Sequence, residues 1–272
     1  MTGPVTPIAV TIAGSDSGGG AGLQGDLKTF SALGVYGASV VTALTAQNTA
    51  GVTAIHDVPA DFVAAQMDAV FSDLQVGAAK IGMLSQPATI RAVAAGLDRW
   101  RQTRVVLDPV MVASSGDRLL APDAIEVLKR ELIPRAFVLT PNLPEAAALV
   151  GTPEAQTEDE MRAQAQALLG LGAQAVLIKG GHGKGQSSVD LLVDRNGTVA
   201  LPLTRLATRN THGTGCAFSA AIAAGLAKSM DMLEATRAAK AYVHAAIAAA
   251  DMLAIGSGPG PVHHFHGVWP RL

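Results

Sequence analysis

The sequence contains little cysteine, little charge and few aromatic side chains, and each shortage excludes something. Cys216 is the single cysteine among 272 residues, so an internal disulfide framework is excluded and a reducing compartment is expected. Charged residues make up 15% of the chain and the formal net charge is −2. With the basic residues dispersed, this argues against nucleic acid or an anionic membrane as the main partner. Aromatic residues are only 4% while glycine and alanine are abundant, so we expect helices and strands to pack closely through small side chains.

Long apolar runs are also missing. No stretch reaches the ~18 uninterrupted apolar residues that a membrane span needs. The first residues, MTGPVTPIAVTIAGSDSGGG, lack the basic region and the long apolar run of a signal peptide. Since 49% of the residues are hydrophobic, the chain can build a substantial core. We therefore expect a cytoplasmic protein without a membrane or nucleic-acid partner.

Short runs rich in β-branched residues alternate with segments of helical periodicity. A strand over residues 8–13 leads into a glycine-rich loop and then into a helix over residues 23–33. Asn196-Gly197 predicts a hairpin turn between strands 189–193 and 198–203. The other strands are predicted at 38–44, 52–58, 78–83, 104–107, 136–139 and 175–178, and the other helices at 61–71, 87–100, 122–132, 143–150, 157–171, 215–227 and 233–253. This alternation predicts one α/β domain over residues 1–272, with a mostly parallel sheet between helices.

Polar and glycine-rich clusters stand just after the predicted strands. In open α/β sheets the ligand site lies at the carboxyl ends of the strands. We therefore expect the clusters to converge on one edge of the sheet, at Gly14, Gln47, Asp108, Asn142 and Lys179.

The stretch 210–216, Asn-Thr-His-Gly-Thr-Gly-Cys, directly precedes an alanine-rich helix. Backbone N–H groups at a helix N-terminus lack partners and lie at the positive end of the helix dipole, so this stretch suits an anion such as a phosphate. The same field favours a thiolate at Cys216, on the first turn. Two plainer interpretations stay open, namely a glycine-rich N-cap without a ligand and a small buried cysteine.

The first glycine loop reads Gly20-Ala-Gly-Leu-Gln-Gly25, which has the spacing of a dinucleotide-binding turn. That fingerprint also needs an acidic residue about 20 positions further on, and the stretch 40–46 has none. A Walker A loop is absent, because Gly183-Lys184 is followed by Gly185 and not by Ser or Thr. The glycine density, with Asp16 and Asp26, favours a loop that lies against a ligand over a tight turn alone.

Asn142 and Glu145 stand one turn apart at a predicted helix start. They fit a capping box. They also fit an outer-sphere Mg²⁺ site completed by Asp108, because Mg²⁺ keeps waters and prefers oxygen ligands beside substrate phosphates. Lys179 is either solvated or a point charge for a phosphate. A histidine cluster near the C-terminus suggests a metal, but no Cys/His pair at ligand spacing supports zinc there; it comprises His263, His264 and His266.

Several short motifs stand in order over nearly the whole chain. They are Ala13-Gly-Ser-Asp-Ser-Gly-Gly-Gly-Ala-Gly22, Asp26-Leu-Lys-Thr-Phe30, Ala43-Leu-Thr-Ala-Gln-Asn-Thr49, Lys80-Ile-Gly-Met83, Leu107-Asp-Pro-Val-Met111, Thr140-Pro-Asn-Leu-Pro-Glu-Ala146, Lys179-Gly-Gly-His182, Asn210-Thr-His-Gly-Thr-Gly-Cys216 and Gly260-Pro-Val-His-His-Phe-His266. Together they resemble the ribokinase-like (PfkB-type) kinase superfamily. Within it, they are similar to the hydroxymethylpyrimidine/phosphomethylpyrimidine kinases of thiamine biosynthesis.

The resemblance implies a ribokinase-like three-layer αβα sandwich with a central, mostly parallel sheet and a small flap. It implies two successive phosphorylations that use ATP and Mg²⁺. The first is on the hydroxymethyl oxygen of 4-amino-5-hydroxymethyl-2-methylpyrimidine, and the second converts the monophosphate to the pyrophosphate. The partners implied are these small molecules and ATP, and we expect a homodimer.

Matched by position, the resemblance also implies roles for individual residues. On the substrate side, Gln47 and Asp26 would read the aminopyrimidine, and the pocket walls would be Gly14, Met83 and Val110. The Mg²⁺-phosphate side would comprise Asn142, Glu145 and Asp108. The ATP side would comprise Lys179, Thr211 and His212, with Lys240 and Val243 beside the adenine. The backbone of Gly213, Thr214 and Gly215 would stabilise the γ-phosphoryl group while Cys216 accepts or steers the hydroxyl proton.

Two departures and three rivals accompany the resemblance. Cys216 stands where sugar kinases of the superfamily carry a catalytic Asp, and Gly18 stands where many relatives have Ser. The nearest rival is a pyridoxal kinase of the same superfamily, because pyridoxine and the pyrimidine are similar in size and both offer a hydroxymethyl group. The others are a non-catalytic nucleotide sensor on the same fold and a dinucleotide-dependent dehydrogenase.

Overall fold

The computed structural model describes residues 5–112, 119–121, 123–182 and 186–270. Ten strands occur within these ranges: β1 (Ile8–Ala13), β2 (Tyr36–Val41), β3 (Ala43–Asn48), β4 (Gly51–Asp57), β5 (Ala78–Ile81), β6 (Val105–Leu107), β7 (Val138–Leu139), β8 (Ala175–Ile178), β9 (Ser187–Asp194) and β10 (Gly197–Thr204). Eight of them form one sheet in the order β10-β9-β8-β7-β6-β5-β1-β2. Only the pairings of β9 with β8 and with β10 are antiparallel. The predicted mostly parallel sheet is confirmed.

Helices cover both faces of this sheet. They are α1 (Gly22–Ala32), α2 (Ala60–Asp73), α3 (Pro87–Arg99), α4 (Ala124–Glu131), α5 (Leu143–Val150), α6 (Glu158–Gly170), α7 (Thr214–Ala227) and α8 (Met232–Ala248). One apolar core joins the sheet to α2–α6, and a second joins its other face to α1, α7 and α8. This confirms the predicted three-layer αβα sandwich.

Strand side chains alternate between the two cores, as the period of two in a β-strand requires. Val10 and Ile12 of β1 belong to the core with α2–α6, whereas Ala9 belongs to the core with α1, α7 and α8. In the same way Ala79 and Ile81 of β5 face the first core. The small residues that the composition emphasised lie mainly in the second core, where α7 packs against both α1 and α8.

Strands β3 and β4 form a separate two-stranded antiparallel sheet, which corresponds to the expected small flap. The single strand predicted over residues 38–44 is therefore wrong, because the chain leaves the main sheet at Thr42. The Thr42 N–H donates to the Ala13 carbonyl and its hydroxyl donates to the Met83 carbonyl. These bonds anchor Thr42 at the end of β1, and the next residues form the strand β3, which pairs with β4.

Other boundaries agree with the sequence more closely. The hairpin turns at Asn196 and Gly197, whose N–H groups donate to Asp194. The helix predicted over 233–253 ends at Ala248 and is followed by a 3-10 turn over Ala250–Met252. Pro122, placed at a helix start, lies outside the described residues, as do Gly183, Lys184 and Gly185. In the portion of the chain that the structure describes, no helix combines the length and apolarity that a bilayer crossing requires.

Candidate active site

A cavity of about 930 Å³ opens at the carboxyl ends of the parallel strands. The topology reverses here, because β1 is followed in sequence by β2 on one side and the chain later returns as β5 on the other. Such a switch point is the usual ligand crevice of an open α/β sheet. The predicted site residues that line it are Gly14, Gln47, Met83, Asp108, Val110, Asn142, Glu145, Lys179, Thr211, His212, Gly213, Thr214, Gly215, Cys216, Lys240 and Val243. Asp26 is not among the lining residues.

The N-terminus of α7 forms one end of the cavity. Gly213 precedes the helix with a left-handed backbone (φ 80°), and a Cβ there would lie 2.0 Å from the carbonyl oxygen of Gly20. Only glycine fits this position, because a side chain would collide with the neighbouring backbone and would also disfavour the positive φ. The close approach locks the stretch 210–216 against the first glycine loop, so the helix N–H groups face the cavity.

Asp16 organises the first glycine loop. Its carboxylate accepts from the N–H groups of Gly18, Gly20 and Ala21 and lies 2.9 Å from Nε2 of His212. Burial raises the pKa of Asp16, but the His212 hydrogen bond and the backbone donors outweigh burial, so this pKa lies below its ordinary value. His212 therefore ties the two loops together through Asp16, and its Nε2 is occupied by that contact.

Lys179 reaches the cavity from the end of β8 and meets two carboxylates. Its Nζ lies 2.7 Å from Oδ1 of Asp108 and 4.0 Å from Oε2 of Glu145. Asp108 also accepts from the hydroxyls of Thr140 and Ser219, each at 3.2 Å. Burial lowers the pKa of Lys179, but Asp108 and Glu145 raise it more, so the ammonium form is favoured.

Glu145, the second carboxylate near Lys179, has a raised pKa. Burial raises its pKa, Lys179 lowers it and Asp108 raises it again, which leaves the pKa of Glu145 at about 7. A carboxyl group with this pKa changes charge near neutral pH. It is the kind of group found where a cation or a proton is handled.

Asn142 and Glu145 also form the capping box of α5. The Glu145 N–H donates to Asn142 Oδ1 at 2.9 Å, and the Asn142 N–H donates to Glu145 Oε2 at 2.8 Å. The prediction that Asn142 and Glu145 form a capping box is thus confirmed. The box also holds the Glu145 carboxylate at the cavity wall, so capping and a role toward a ligand are compatible.

The described residues contain no group of three or more His, Cys, Asp or Glu side chains able to hold a metal ion. The zinc hypothesis for the C-terminal histidines is therefore not supported: His263 and His264 are buried, and Nδ1 of His266 contacts the His263 carbonyl. The pair of Asp108 and Glu145 does fit Mg²⁺, because this ion keeps several waters and is bound through one or two carboxylates plus substrate phosphates.

Gln47 also lines the cavity. It stands at a register shift between β3 and β4, next to Ala46, and such irregularities re-aim side chains. Its Oε1 accepts from the Thr45 hydroxyl at 3.1 Å, which orients the amide. Gly14 and Met83 line the same cavity and pack closely against each other, since a Cβ on Gly14 would lie 2.9 Å from the Met83 sulfur.

Asp26 does not occupy the position that the resemblance implies. Its side chain is fully buried behind the cavity, where it pairs with Lys80 at 2.7 Å and accepts from the Thr11 hydroxyl at 2.6 Å. The expectation that Asp26 contacts the aminopyrimidine directly is therefore corrected, because both of its carboxylate oxygens are engaged with Lys80. Lys80 lines the cavity and was missed as a site residue. The one signal in the sequence that could have identified Lys80 is its position inside the apolar run 78–83.

Cys216 lies on the first turn of α7 and lines the cavity. Burial raises the pKa of its thiol to about 11, although Lys80 and a backbone hydrogen bond with Gly22 act in the opposite direction. The expectation of a thiolate at Cys216 is therefore corrected: at neutral pH the effect of burial outweighs the favourable field of the helix, so the protonated thiol is favoured. The group presented to the cavity is a thiol.

Lys240 and Val243 stand on α8 at the far side of the cavity. The Lys240 ammonium lies 2.7 Å from Asp190 and donates to the Ser188 carbonyl at 3.2 Å. Asp190 also accepts from the N–H of Gly180, next to Lys179. The head group of Lys240 is thus engaged with β9, and its stem and Val243 form the wall.

Comparison with known proteins gives concordant matches. The sequence model of the phosphomethylpyrimidine kinase family matches residues 16–263. A hydroxymethylpyrimidine/phosphomethylpyrimidine kinase of Rhizobium meliloti (strain 1021) is 64% identical over 265 residues, covering 97% of this chain and 99% of that protein. The chain is also similar to the crystal structure of phosphomethylpyrimidine kinase from Clostridium difficile 630 (TM-score 0.79, 43% identity, 88% of this chain and 99% of that one).

A pyridoxal kinase is similar as well. An ADP complex of the Bacillus subtilis pyridoxal kinase superposes with a TM-score of 0.87 at 37% identity, covering 96% of this chain and 98% of that one. The likeness confirms the predicted ribokinase-like fold.

Proposed function

The chain belongs to the phosphomethylpyrimidine kinase family, and from that premise we propose that it is a bifunctional kinase of thiamine biosynthesis. It transfers the γ-phosphoryl group of ATP to the hydroxymethyl oxygen of 4-amino-5-hydroxymethyl-2-methylpyrimidine. It then phosphorylates the monophosphate to give the pyrophosphate. The relatives at this level of identity are named as kinases, so nothing supports a non-catalytic nucleotide sensor.

The observation that carries this proposal is the set of residues that line the cavity of about 930 Å³. One part of its lining is the helix N-terminus at residues 213–216 with the Lys179 ammonium, which suit a phosphoryl group. Another part is the Gln47 amide together with the Met83 side chain, which suit a small planar heterocycle. We place the hydroxymethyl group of a heterocycle bound there toward the phosphoryl group.

The residues act mainly by positioning and charge stabilisation. As the hydroxymethyl oxygen forms its bond to the γ-phosphorus, the bond from that phosphorus to the bridging oxygen of ADP breaks. Charge on the transferred oxygens is stabilised by the backbone N–H groups of Gly213–Cys216 and by Lys179. In a loose transition state the hydroxyl loses its proton late, to an oxygen of the transferred phosphoryl group, so the Cys216 thiol orients the hydroxyl and a strong base is not required.

Asp108 and Glu145 would hold Mg²⁺, with Asn142 fixing Glu145 through the capping box. When bound, the ion supplies positive charge to the phosphates of ATP. The support is the surplus of carboxylates over ammonium groups in this cluster and the raised pKa of Glu145.

Pyridoxal kinase activity is the second candidate, because a pyridoxal kinase structure superposes on nearly the whole chain. Pyridoxal also carries a hydroxymethyl group on a six-membered heterocycle, so the same cavity accommodates it by size. The identity of 64% to a pyrimidine kinase against 37% to this pyridoxal kinase favours the pyrimidine.

A coupled assay for ADP with three substrates tests the proposal. Hydroxymethylpyrimidine and its monophosphate should both be turned over, and pyridoxal should be turned over more slowly. Turnover of pyridoxal alone would replace the first candidate with the second. ATP binding without phosphorylation of any of the three would contradict both.

Three expectations stay predictions: a single domain, a homodimer and a cytoplasmic location. Limited proteolysis tests the single domain, since one compact domain should resist cleavage between its strands. Sedimentation equilibrium of the purified chain measures whether it is a homodimer.

A further inference from the structure

One buried charge pair, formed by Lys80 and Asp26, has no part in the mechanism above. The Lys80 ammonium lies 2.7 and 3.0 Å from the two Asp26 oxygens, and both side chains have no exposed area. Thr11 donates to the same carboxylate and is the register neighbour of Lys80 across β1 and β5. A sealed ion pair is not needed for stability, since apolar residues often serve as well.

The fold directs this pair toward the layer that holds α1 and α7. Ala9 of β1 and Ala78 of β5 belong to the core with α1, α7 and α8. Because strand side chains alternate, Thr11 and Lys80, two positions further on, face the same layer. A Cβ on Gly82 would lie 2.8 Å from the Lys80 Nζ, so the ammonium is closely confined.

Cys216 lies in the same layer, on the first turn of α7. Helix α1 packs against α7, and Gly22 and Asp26 stand one turn apart on one face of α1. The first turns of α1 and α7 meet, since a Cβ on Gly213 would lie 3.3 Å from the Cα of Ala21, and Asp26 and Lys80 both act electrostatically on the sulfur of Cys216. Lys80 and Cys216 also line the same cavity.

We propose that Lys80 and Asp26 are positioning residues for Cys216: the buried Lys80 ammonium places positive charge near the sulfur, and Asp26 confines Lys80 and offsets part of that charge. Neither residue is assigned a contact with the reacting atoms. The catalytic consequence rests on the proposed function, whereas the effect on the thiol does not.

The two partners act on the sulfur with opposite sign. Burial raises the pKa of Cys216, Lys80 lowers it, and Asp26 and Asp108 raise it. Lys179 also interacts with Cys216 from the cavity side. Removal of Lys80 and removal of Asp26 must therefore change the reactivity of the thiol in opposite directions, which a purely structural role would not produce.

Alkylation measures this directly, because Cys216 is the single cysteine of the chain. Iodoacetamide labelling of the intact protein at several pH values, followed by mass spectrometry, gives the rate for this thiol alone. A pKa change of one unit alters the rate about threefold at neutral pH, since a more basic thiolate is scarcer but more nucleophilic. We expect Lys80→Met to react about threefold more slowly and Asp26→Asn about threefold faster than the native chain.

A matched surface pair supplies the control. Lys129→Met and Glu126→Gln remove an ion pair in which the Glu126 side chain is 74% exposed, and both should leave the rate unchanged. Where Lys80→Met does not fold, the double variant Lys80→Met/Asp26→Asn leaves no unpaired buried charge. It should fold and react more slowly than the native chain, because Lys80 has the larger effect of the two.

Rate changes in the same direction for both single variants, or no change in either, would overturn the proposal. Kinase turnover of hydroxymethylpyrimidine is measured on the same samples, where both variants should change kcat more than KM. If the two variants change the alkylation rate in opposite directions but the protein phosphorylates no pyrimidine, the proposed function is refuted and the effect of Lys80 and Asp26 on Cys216 is supported. If the protein is an active kinase but neither variant changes the alkylation rate, the proposed function is supported and the effect on Cys216 is refuted.

Discussion

Lys80 and Lys179 are both lysines buried around the same cavity, yet their surroundings differ. Lys80 has no exposed side-chain area and one carboxylate partner, Asp26. Lys179 is 13% exposed at its side chain and has two carboxylate partners, Asp108 and Glu145. The first group is neutral as a whole, and the second carries surplus negative charge when all three side chains are ionised.

The difference separates a permanent charge pair from one that a ligand can rearrange. A sealed, neutral pair gains nothing from a cation or phosphate and holds its geometry at all times. The open cluster has an unmatched carboxylate: burial raises the pKa of Glu145 to about 7, and the neighbouring Asp108 carboxylate adds to that rise while Lys179 opposes it. A phosphate near Lys179 and a cation near Glu145 would complete its charge balance.

Breaking the open cluster should produce the largest effect on activity. Lys179→Met removes the cation that faces the transferred phosphoryl group, and kcat/KM should fall on the order of a thousandfold. The coupled kinase assay measures the loss, with Lys129→Met as the control. A loss below about tenfold would show that Lys179 serves only its carboxylate partners and is not in contact with a phosphate.

Breaking the sealed pair should instead reduce stability. Lys80→Met leaves the Asp26 carboxylate buried without a partner, so the free energy of unfolding should fall by about 3 kcal/mol. The double variant Lys80→Met/Asp26→Asn should recover most of this loss. Urea denaturation measures both; equal destabilisation of the single and double variants would mean that packing, and not charge, holds this region.

Cys216 lies between the two groups and should respond in catalysis alone. Cys216→Ala removes the side chain that orients the substrate hydroxyl, so kcat should fall about a hundredfold while ATP affinity is retained. Turnover and equilibrium binding of ATP are measured on the same preparation. Near-native turnover would remove the cysteine from the mechanism.

The smallest expected effect concerns the charge of Glu145. Its pKa is about 7 in the folded chain against an ordinary value of 4.5, so the folded state binds this proton more tightly than the unfolded state. The stability that the proton provides is present at low pH and is lost as pH rises between these two values.

Glu145→Gln keeps the capping box and stays neutral, so it avoids that loss. Its free energy of unfolding relative to the native chain should be at least about 1 kcal/mol more favourable at pH 8 than at pH 5. Thermal or urea unfolding in the presence of EDTA measures the difference. A pH-independent difference would place the titration elsewhere.

Much of the fold was predictable because its signals are local. The strand–loop–helix opening and the Asn196-Gly197 hairpin follow from hydrophobic period and turn chemistry. The point at which the chain leaves the main sheet, Thr42, was not predictable, since nothing in residues 38–44 marks a turn. It depends on hydrogen bonds to Ala13 and Met83, which are distant in sequence.

The site was predictable where residues follow strands, as at Asp108 and Lys179, because all parallel strands end at one edge. It was not predictable where orientation depends on packing between layers. Asp26 turns away from the cavity, and Lys80 is buried although lysine is among the residues least often buried. The expected thiolate at Cys216 likewise neglected burial, which has no local sequence signal.

The contact between Gly213 and the carbonyl of Gly20 has a consequence for protein engineering. Two loops that touch backbone to backbone offer no side chains to exchange, so selection for a new substrate finds no tolerated variation at these two positions. Side chains on the heterocycle wall, such as Met83 and Val110, are free of that constraint. A mutant library selected on bulkier hydroxymethyl heterocycles should therefore accumulate changes at the wall and keep both glycines.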